Sequence, residues 1–267
     1  MQNQILEVLI CTINEGIIKV ADHLLPSISY VKYLISWQQT EENTAETPKS
    51  LLERKDVKIV PLKGKGLAVN RNNAIQNATG DILVFSDDDT RYQPECFENI
   101  LEAFAQFPGT DIITFQMADI DGKIKKRYST DIFKYEEMPK GTYFSSVEIA
   151  LRRTDHPILF DTRFGLGAEV LSCGEEEVYL HQAHTKGLKI LYYPKVIAYT
   201  PQETTGTKFH TEIKVRRSKG AVLYLLHGYA GAVLRCFKFA IQSQGRHKLS
   251  YFKDMYEGIQ YIRKNEK

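Results

Sequence analysis

The chain has 267 residues, 43% hydrophobic and 25% charged, enough to bury a sizeable core in one α/β domain with a shorter appendage, and this balance excludes a disordered chain. Its four cysteines (Cys11, Cys96, Cys173, Cys236) stand far apart with no C-x-x-C pair, which excludes a zinc knuckle or a disulfide framework and fits a reducing compartment. The net charge of +2 hides an asymmetry: from Thr211 onward there are twelve Lys/Arg against four Asp/Glu, leaving 23 basic and 29 acidic residues before it, so an anionic partner is expected at the tail.

The segment Met1–Ile13 has no basic n-region and carries Glu7 inside its apolar run, which argues for an early strand rather than a signal peptide. Apolar runs bounded by turn residues predict strands over Ile5–Ile13, Tyr30–Trp37, Val57–Val60, Ile82–Ser86 and Asp111–Met117. Between them Ile17–Leu25, Leu67–Ala78 and Pro94–Phe107 read as helices, the last with proline in its first turn, and Thr40–Ser50 as a loop. This alternation implies an α/β fold with a mostly parallel central sheet flanked by helices, in which ligands bind beyond the carboxyl ends of the strands. After Met117 the chain is irregular to Phe164; a helix over Glu175–Thr185 and a strand over Lys189–Val196 follow, and this half reads as a smaller layer added to the first. The expected division is a catalytic domain over 1–210 and a basic, partly apolar helical tail over 211–267.

Three elements carry chemistry. The run Asp87-Asp88-Asp89 follows four consecutive apolar residues, and in extended backbone Asp87 and Asp89 point one way and Asp88 the other. Adjacent like charges there invite a cation, and hard oxygen donors, few in number, suit Mg²⁺ or Mn²⁺ completed by phosphate oxygens. Lys63-Gly64-Lys65-Gly66 runs into a helix bearing Asn70-Arg71-Asn72, where helix-start amides and a guanidinium favour anions; a structural ion pair of Arg71 with Asp81 or another carboxylate is the alternative. Phe164-Gly165-Leu166-Gly167-Ala168 precedes Gly174-Glu175-Glu176-Glu177; carboxylates belong at a helix start, but three exceed what capping needs, and one near a ligand hydroxyl can act as general base.

Taken in order, these elements resemble family 2 glycosyltransferases of the GT-A fold over about Ile5 to Gly206. Cys11-Thr12-Ile13-Asn14-Glu15 looks like the family's Pro-Thr-hydrophobic-Asn segment, Val69-Asn70-Arg71-Asn72 like its Ala-Arg-Asn helix, Asp87–Asp89 like its Asp-x-Asp metal motif, and Glu176-Glu177 like its Glu-Asp pair. The resemblance implies an inverting hexosyltransferase, with a nucleotide-sugar of the UDP, GDP or dTDP type held by Thr12, Asn14, Glu15, Trp37, Arg71, Asp87 and Asp88. It implies Mg²⁺ or Mn²⁺ on Asp89 with Asp87, Glu177 as base with Glu176 as the alternative, and Gly165, Leu166 and Gly167 lining the acceptor side. The sequence departs from the family in three places. Ser36-Trp37-Gln38-Gln39 stands where acids often grip the base or ribose, leaving Trp37 either to stack on a base or to fill the core. Glu177 replaces the shorter aspartate, and Tyr199-Thr200-Pro201-Gln202 stands where a histidine often follows the last strand.

The expected role is transfer to a hydroxyl of a glycan or lipid-linked acceptor in surface or capsular polysaccharide synthesis, in the cytoplasm. A nucleotidyltransferase would need a basic Gly-rich loop after the first strand, a non-catalytic module would not need both acidic runs, and a glycosidase needs no nucleotide site. In the tail, Gly220–Leu234 is apolar but for His227 and at about fifteen residues falls short of the roughly 20 of a spanning helix. It reads either as an interfacial helix, with Arg216, Arg217, Lys219, Arg235, Lys238, Arg246 and Lys248 meeting anionic headgroups at the inner face of the membrane, or as a helix packed on the protein's own core. No recognition helix or aromatic-interleaved basic motif points to nucleic acid.

Overall fold

The fold is a computed structural model that describes residues 4–124, 126–201, 205–243 and 248–266; Gln202 and Arg246 lie outside the described residues. The chain divides into two compact units, the first made of 1–65, 69–159 and 182–202, the second of 66–68, 160–181 and 203–267.

In the first unit the expected strands form as β1 (Leu6–Ile13), β2 (Val31–Gln39), β3 (Val57–Lys63), β4 (Ile82–Asp87) and β5 (Ile112–Ala118), with α1 (Gly16–His23), α2 (Lys49–Leu52), α3 (Leu67–Asn77) and α4 (Pro94–Gln106) between them. Three further strands follow, β6 (Phe133–Lys134), β7 (Ile149–Arg152) and β8 (Ile190–Tyr199), and α5 (Glu175–Thr185) forms over the expected residues. One eight-stranded sheet results, in the order β3-β2-β1-β4-β7-β5-β8-β6. β1 is parallel to β2 and β4, β2 to β3, and β5 to β8, while β7 lies antiparallel between β4 and β5 and β6 antiparallel to β8. Six strands therefore share one direction, in keeping with a mostly parallel GT-A-type sheet. The second-half strands extend this sheet instead of adding a separate layer. β7 escapes detection in the sequence because Ile149-Ala150-Leu151 is too short a run to show a period.

Local chemistry explains the irregular points. Glu7 sits 1% exposed in β1 because its carboxylate accepts the N–H groups of Thr79 (2.5 Å) and Gly80 (2.7 Å). Pro61 is tolerated because β3 is an edge strand. Pairing of β5 with β8 skips from Thr114↔Tyr192 to Gln116↔Val196, across Pro194, which has no N–H to give. Phe97, Ile100, Ala103 and Phe104 of α4 are fully buried in one core with Val8, Val84, Ile113 and Phe115 of the sheet.

The second unit is built on α6 (Ile213–Gln242) and α7 (Lys248–Lys264), which run antiparallel. At Gly220 an added Cβ would stand 1.8 Å from the Met255 carbonyl oxygen, and at Gly258 1.9 Å from that of Arg217, so both glycines are required for the backbones to touch. Gly228 (φ 68, ψ 178) breaks the helical geometry of α6 in its middle. By length and composition α6 is apolar enough to cross a membrane, the one such helix among the described residues, and it extends on both sides of the apolar stretch Gly220–Leu234. Its first half is nonetheless part of a folded core: Ala221 and Val222 are buried with Phe164, Leu171, Val178 and Ile262. Arg216 makes a buried ion pair with Asp254 (2.6 Å), Arg217 pairs with Glu257 (2.7 Å), and Lys219 with Glu177 (3.7 Å). Of the two readings of the tail, these three cations fit the one in which the helix packs on the protein's own core, since each meets a carboxylate of its own unit.

Candidate active site

β4 ends at Asp87, and Asp88 and Asp89 lie in a turn closed by two bonds: Thr90 N–H to the Asp87 carbonyl (3.2 Å) and Asp87 N–H to Thr90 Oγ1 (3.2 Å). Strand alternation therefore ends at Asp87, and the turn sets where Asp88 and Asp89 point. Asp88 turns toward β1, where Thr12 Oγ1 donates to its Oδ2 (2.8 Å). A Cβ at Gly16 would stand 2.2 Å from that oxygen and 2.3 Å from the threonine hydroxyl, so the start of α1 must be glycine for this brace to close. Burial pushes the Asp88 carboxyl up, opposed by the Thr12 hydroxyl and Lys19. Asp87 points elsewhere and is 42% exposed, with Arg71 Nη2 3.6 Å from its Oδ1. The Arg71 side chain is only 3% exposed and also donates to Ser146 Oγ (2.7 Å). The ion pair the sequence allowed for Arg71 is thus made with Asp87, while the Asp81 carboxylate accepts the Ile5 N–H.

Beside this cluster, the neighbouring carboxyl ends of β1 and β2 are tied by Asn14, the one non-glycine residue with positive φ (47°) among the described residues. Asn14 Oδ1 accepts from Thr40 N (2.9 Å) and its Nδ2 donates to Thr40 Oγ1 (2.8 Å). The Asn14 carbonyl takes the Trp37 indole N–H (2.8 Å). Trp37 is 5% exposed within the core cluster, the second of its two sequence readings; this leaves no ring face for a base to stack on, and its part is to fix Asn14. Glu15 is exposed and accepts from Thr44 Oγ1 (3.3 Å). Asn70, on α3, donates to the Thr12 carbonyl (3.0 Å). Its Oδ1 and the Nε2 of buried Gln38 have no protein partner. Cys11, paired in register with Asp87, is a buried thiol pushed up to about 12 and takes no part as a nucleophile.

In the second unit, Gly165 (φ 100) and Gly167 (φ 86) hold a loop that only glycine adopts readily, with Leu166 exposed at its tip. The Leu166 carbonyl accepts from Leu67 N–H (2.8 Å), at the first residue of α3. A Cβ on Gly165 would lie 3.2 Å from the Glu175 carboxylate, which is buried at the start of α5. Glu176 and Glu177 are half-buried, and Glu177 is the one drawn to Lys219. Phe160 stacked on Tyr179 (4.3 Å between centroids) packs this segment from below.

One supporting network went unread in the sequence. Glu148, fully buried ahead of β7, gathers the Lys126 ammonium, the Tyr128 hydroxyl and the Ser145 N–H, and burial pushes its carboxyl up against the pull of Lys126. It pins the single 3₁₀ turn Ser146–Glu148 whose Ser146 hydroxyl receives Arg71. The signal was present as Ser145-x-x-Glu148, a capping-box spacing.

Among the described residues no group of three or more His, Cys, Asp or Glu is placed to hold a metal. The half-buried carboxylates of Asp87 and Asp89 are hard oxygen donors, a set that suits Mg²⁺ or Mn²⁺ when diphosphate oxygens and water supply the rest of the shell.

No curated protein matches the chain in sequence. Among solved structures, S. aureus TarS 1–349 is similar with a TM-score of 0.62 at 15% identity, over 96% of this chain and 81% of that one. The same TarS fragment crystallised with UDP-GlcNAc gives 0.62 at 14% identity over 97% and 81%, and with UDP 0.59 at 15% over 96% and 81%. At that identity the likeness is one of fold, and the fold is GT-A. The model of the family described as glycosyl transferase family 2 matches residues 36–172, more than half of the chain and the stretch that runs from the end of β2 through Arg71 and Asp87–Asp89 to the Gly165–Gly167 loop. On that match the chain belongs to glycosyl transferase family 2, and it is a glycosyltransferase.

Proposed function

We propose that the chain moves a sugar, with inversion, from a nucleoside-diphosphate donor of the UDP, GDP or dTDP type to a hydroxyl of a glycan or lipid-linked acceptor, in surface or capsular polysaccharide synthesis. The TarS crystals with UDP and UDP-GlcNAc favour a UDP-sugar among these donors. The observation that carries the reading is the pairing of a guanidinium 3% exposed with a carboxylate 42% exposed, Arg71 with Asp87, beside the Thr12–Asp88 brace. A fixed cation and a reachable anion side by side suit a diphosphate bound together with a divalent metal. Asp89 with Asp87 would hold that Mg²⁺ or Mn²⁺, which when bound neutralises charge developing on the leaving diphosphate. Thr12, Asn14, Glu15 and Asp88 shape the nucleotide side, and Gly165, Leu166 and Gly167 the acceptor side. As the acceptor oxygen attacks the anomeric carbon, its proton passes to Glu177 or Glu176, and the bond to the diphosphate oxygen breaks on the opposite face of the sugar. The Lys219 ammonium beside Glu177 competes with that proton for the carboxylate, so the two glutamates have to be compared directly. The place of work is the cytoplasm, where four free thiols fit a reducing environment, with peripheral contact at the inner face of the membrane.

A screen of nucleotide-sugars tests this, read by donor hydrolysis and thermal stabilisation. One donor present at 100 times its Kd is expected to stabilise the fold by about 2.7 kcal/mol and to be hydrolysed slowly to nucleoside diphosphate. Turnover of a nucleoside triphosphate with a sugar phosphate, or no stabilisation by any donor, would overturn it.

A further inference from the structure

The exposed apolar side chains of the second unit are concentrated where α6 ends and α7 begins. Leu234 is 70% exposed, Phe237 57%, Ile241 50% and Leu249 87%. Leu234, Phe237 and Ile241 recur at i, i+3 and i+7 and so share one face of α6. Ala232, Cys236 and Ala240, at i, i+4 and i+8, make the other face and are buried with Tyr251, Met255 and Ile259 of α7. The helix is thus amphipathic twice over: one apolar face is covered by its own unit, and the other is uncovered.

Charge identifies what covers it. From Tyr229 to Lys253 the sequence has no Asp or Glu and five cations, Arg235, Lys238, Arg246, Lys248 and Lys253. Arg216, Arg217 and Lys219, by contrast, are each answered by a carboxylate of the unit. A second copy meeting this face about a two-fold axis would set Arg235, Lys238 and Lys248 against themselves, which disfavours self-association. Nucleic acid would satisfy the cations but leave four large apolar side chains in water. An anionic lipid surface satisfies both, with apolar groups in the acyl boundary and cations at the phosphates.

We propose that the α6–α7 elbow docks the protein on an anionic bilayer through Leu234, Phe237, Ile241 and Leu249, with Arg235, Lys238 and Lys248 at the headgroups. The proposal rests on the peripheral-membrane reading above and moves the contact away from Gly220–Leu226, whose first residues are core.

The test is vesicle co-sedimentation of the full chain with phosphatidylglycerol-rich vesicles and with phosphatidylcholine vesicles, at low and high salt. Wild type is expected to bind the anionic vesicles about tenfold or more tightly, the preference shrinking with salt. The triple variant Leu234→Ser, Phe237→Ser, Leu249→Ser is expected to lose about tenfold or more in partitioning with unchanged thermal midpoint and donor hydrolysis, since all three side chains are exposed. Lys238→Glu with Lys248→Glu is expected to remove the anionic preference while leaving the fold intact. Equal binding by the triple variant and wild type would overturn the proposal, as would no binding by wild type, or a wild-type dimer that the triple variant converts to monomer. Vesicle binding without turnover of any nucleotide-sugar would sink the transferase reading and leave the docking standing; turnover without vesicle binding would do the reverse.

Discussion

The chain contains two runs of three consecutive carboxylates, Asp87–Asp89 and Glu175–Glu177, and the backbone sorts them differently. At the end of β4, the turn that follows sends Asp88 to Thr12 and leaves Asp87 exposed beside Arg71. At the start of α5, successive residues turn by about 100°, so Glu175 is buried against the Gly165 loop, Glu177 reaches Lys219, and Glu176 stands between them. In each run one carboxylate is held by the fold, Asp88 by the Thr12 hydroxyl and Glu175 by burial against Gly165. Three like residues in a row thus take up different surroundings, set at Asp87–Asp89 by the turn after β4 and at Glu175–Glu177 by the helical period.

The comparison can be broken by removing members of each run. Glu177→Ala and Glu176→Ala separate the base from its neighbour: the true base is expected to lose about 10²- to 10⁴-fold in kcat with donor affinity kept, by single-turnover assay with nucleotide-sugar and acceptor. Equal, small losses from both would leave the helix-start run without a catalytic member. Next in size is the brace of the other run. Gly16→Ala forces a methyl to within 2.2 Å of the Asp88 carboxylate and is expected to cost about 1–3 kcal/mol in urea unfolding, with weaker donor binding because Thr12 and Asp88 are displaced together. An unchanged midpoint would mean that the Thr12–Asp88 bond does not hold the turn.

A smaller effect separates support from contact. Trp37→Phe loses the indole bond to Asn14 and is expected to cost about 1 kcal/mol of stability while leaving nucleotide affinity within about twofold, because no face of the ring is open to a base. A large affinity loss at unchanged stability would restore the stacking role. The smallest effect concerns the thiols. Burial raises Cys11 and Cys173 to about 12 and Cys96 and Cys236 to about 11. Because the unfolded chain ionises first, their protonated forms add stability that is intact below the ordinary thiol range and lost as pH rises toward 11 and 12. Native protein at pH 8 is expected to resist a disulfide reagent at all four positions until urea is added; rapid labelling at Cys173, the least buried, would contradict its raised value.

Much of this was legible in the residues. Unbroken apolar runs such as Leu83-Val84-Phe85 announce parallel strands, and the carboxyl ends of those strands announce where to look for ligands. Arg71 and the aspartates were singled out in this way. What escaped was set by partners distant in sequence. Nothing local shows that Glu148 collects Lys126 and Tyr128, that Asp88 finds Thr12 across 76 residues, or that Arg216, Arg217 and Lys219 are neutralised within their own unit. Trp37 stayed open between two roles for the same reason, since a lone tryptophan near a strand end looks alike whether its ring faces a ligand or the core.

The most direct test of the central claim is calorimetric titration of UDP into wild type and Asp89→Ala, each with and without Mn²⁺. Wild type is expected to bind about tenfold or more tightly with the metal, and Asp89→Ala to show the same weak affinity in both conditions. Metal-independent binding by wild type, or a metal effect that survives in Asp89→Ala, would contradict the assignment of the aspartate run as the seat of the cation and the diphosphate.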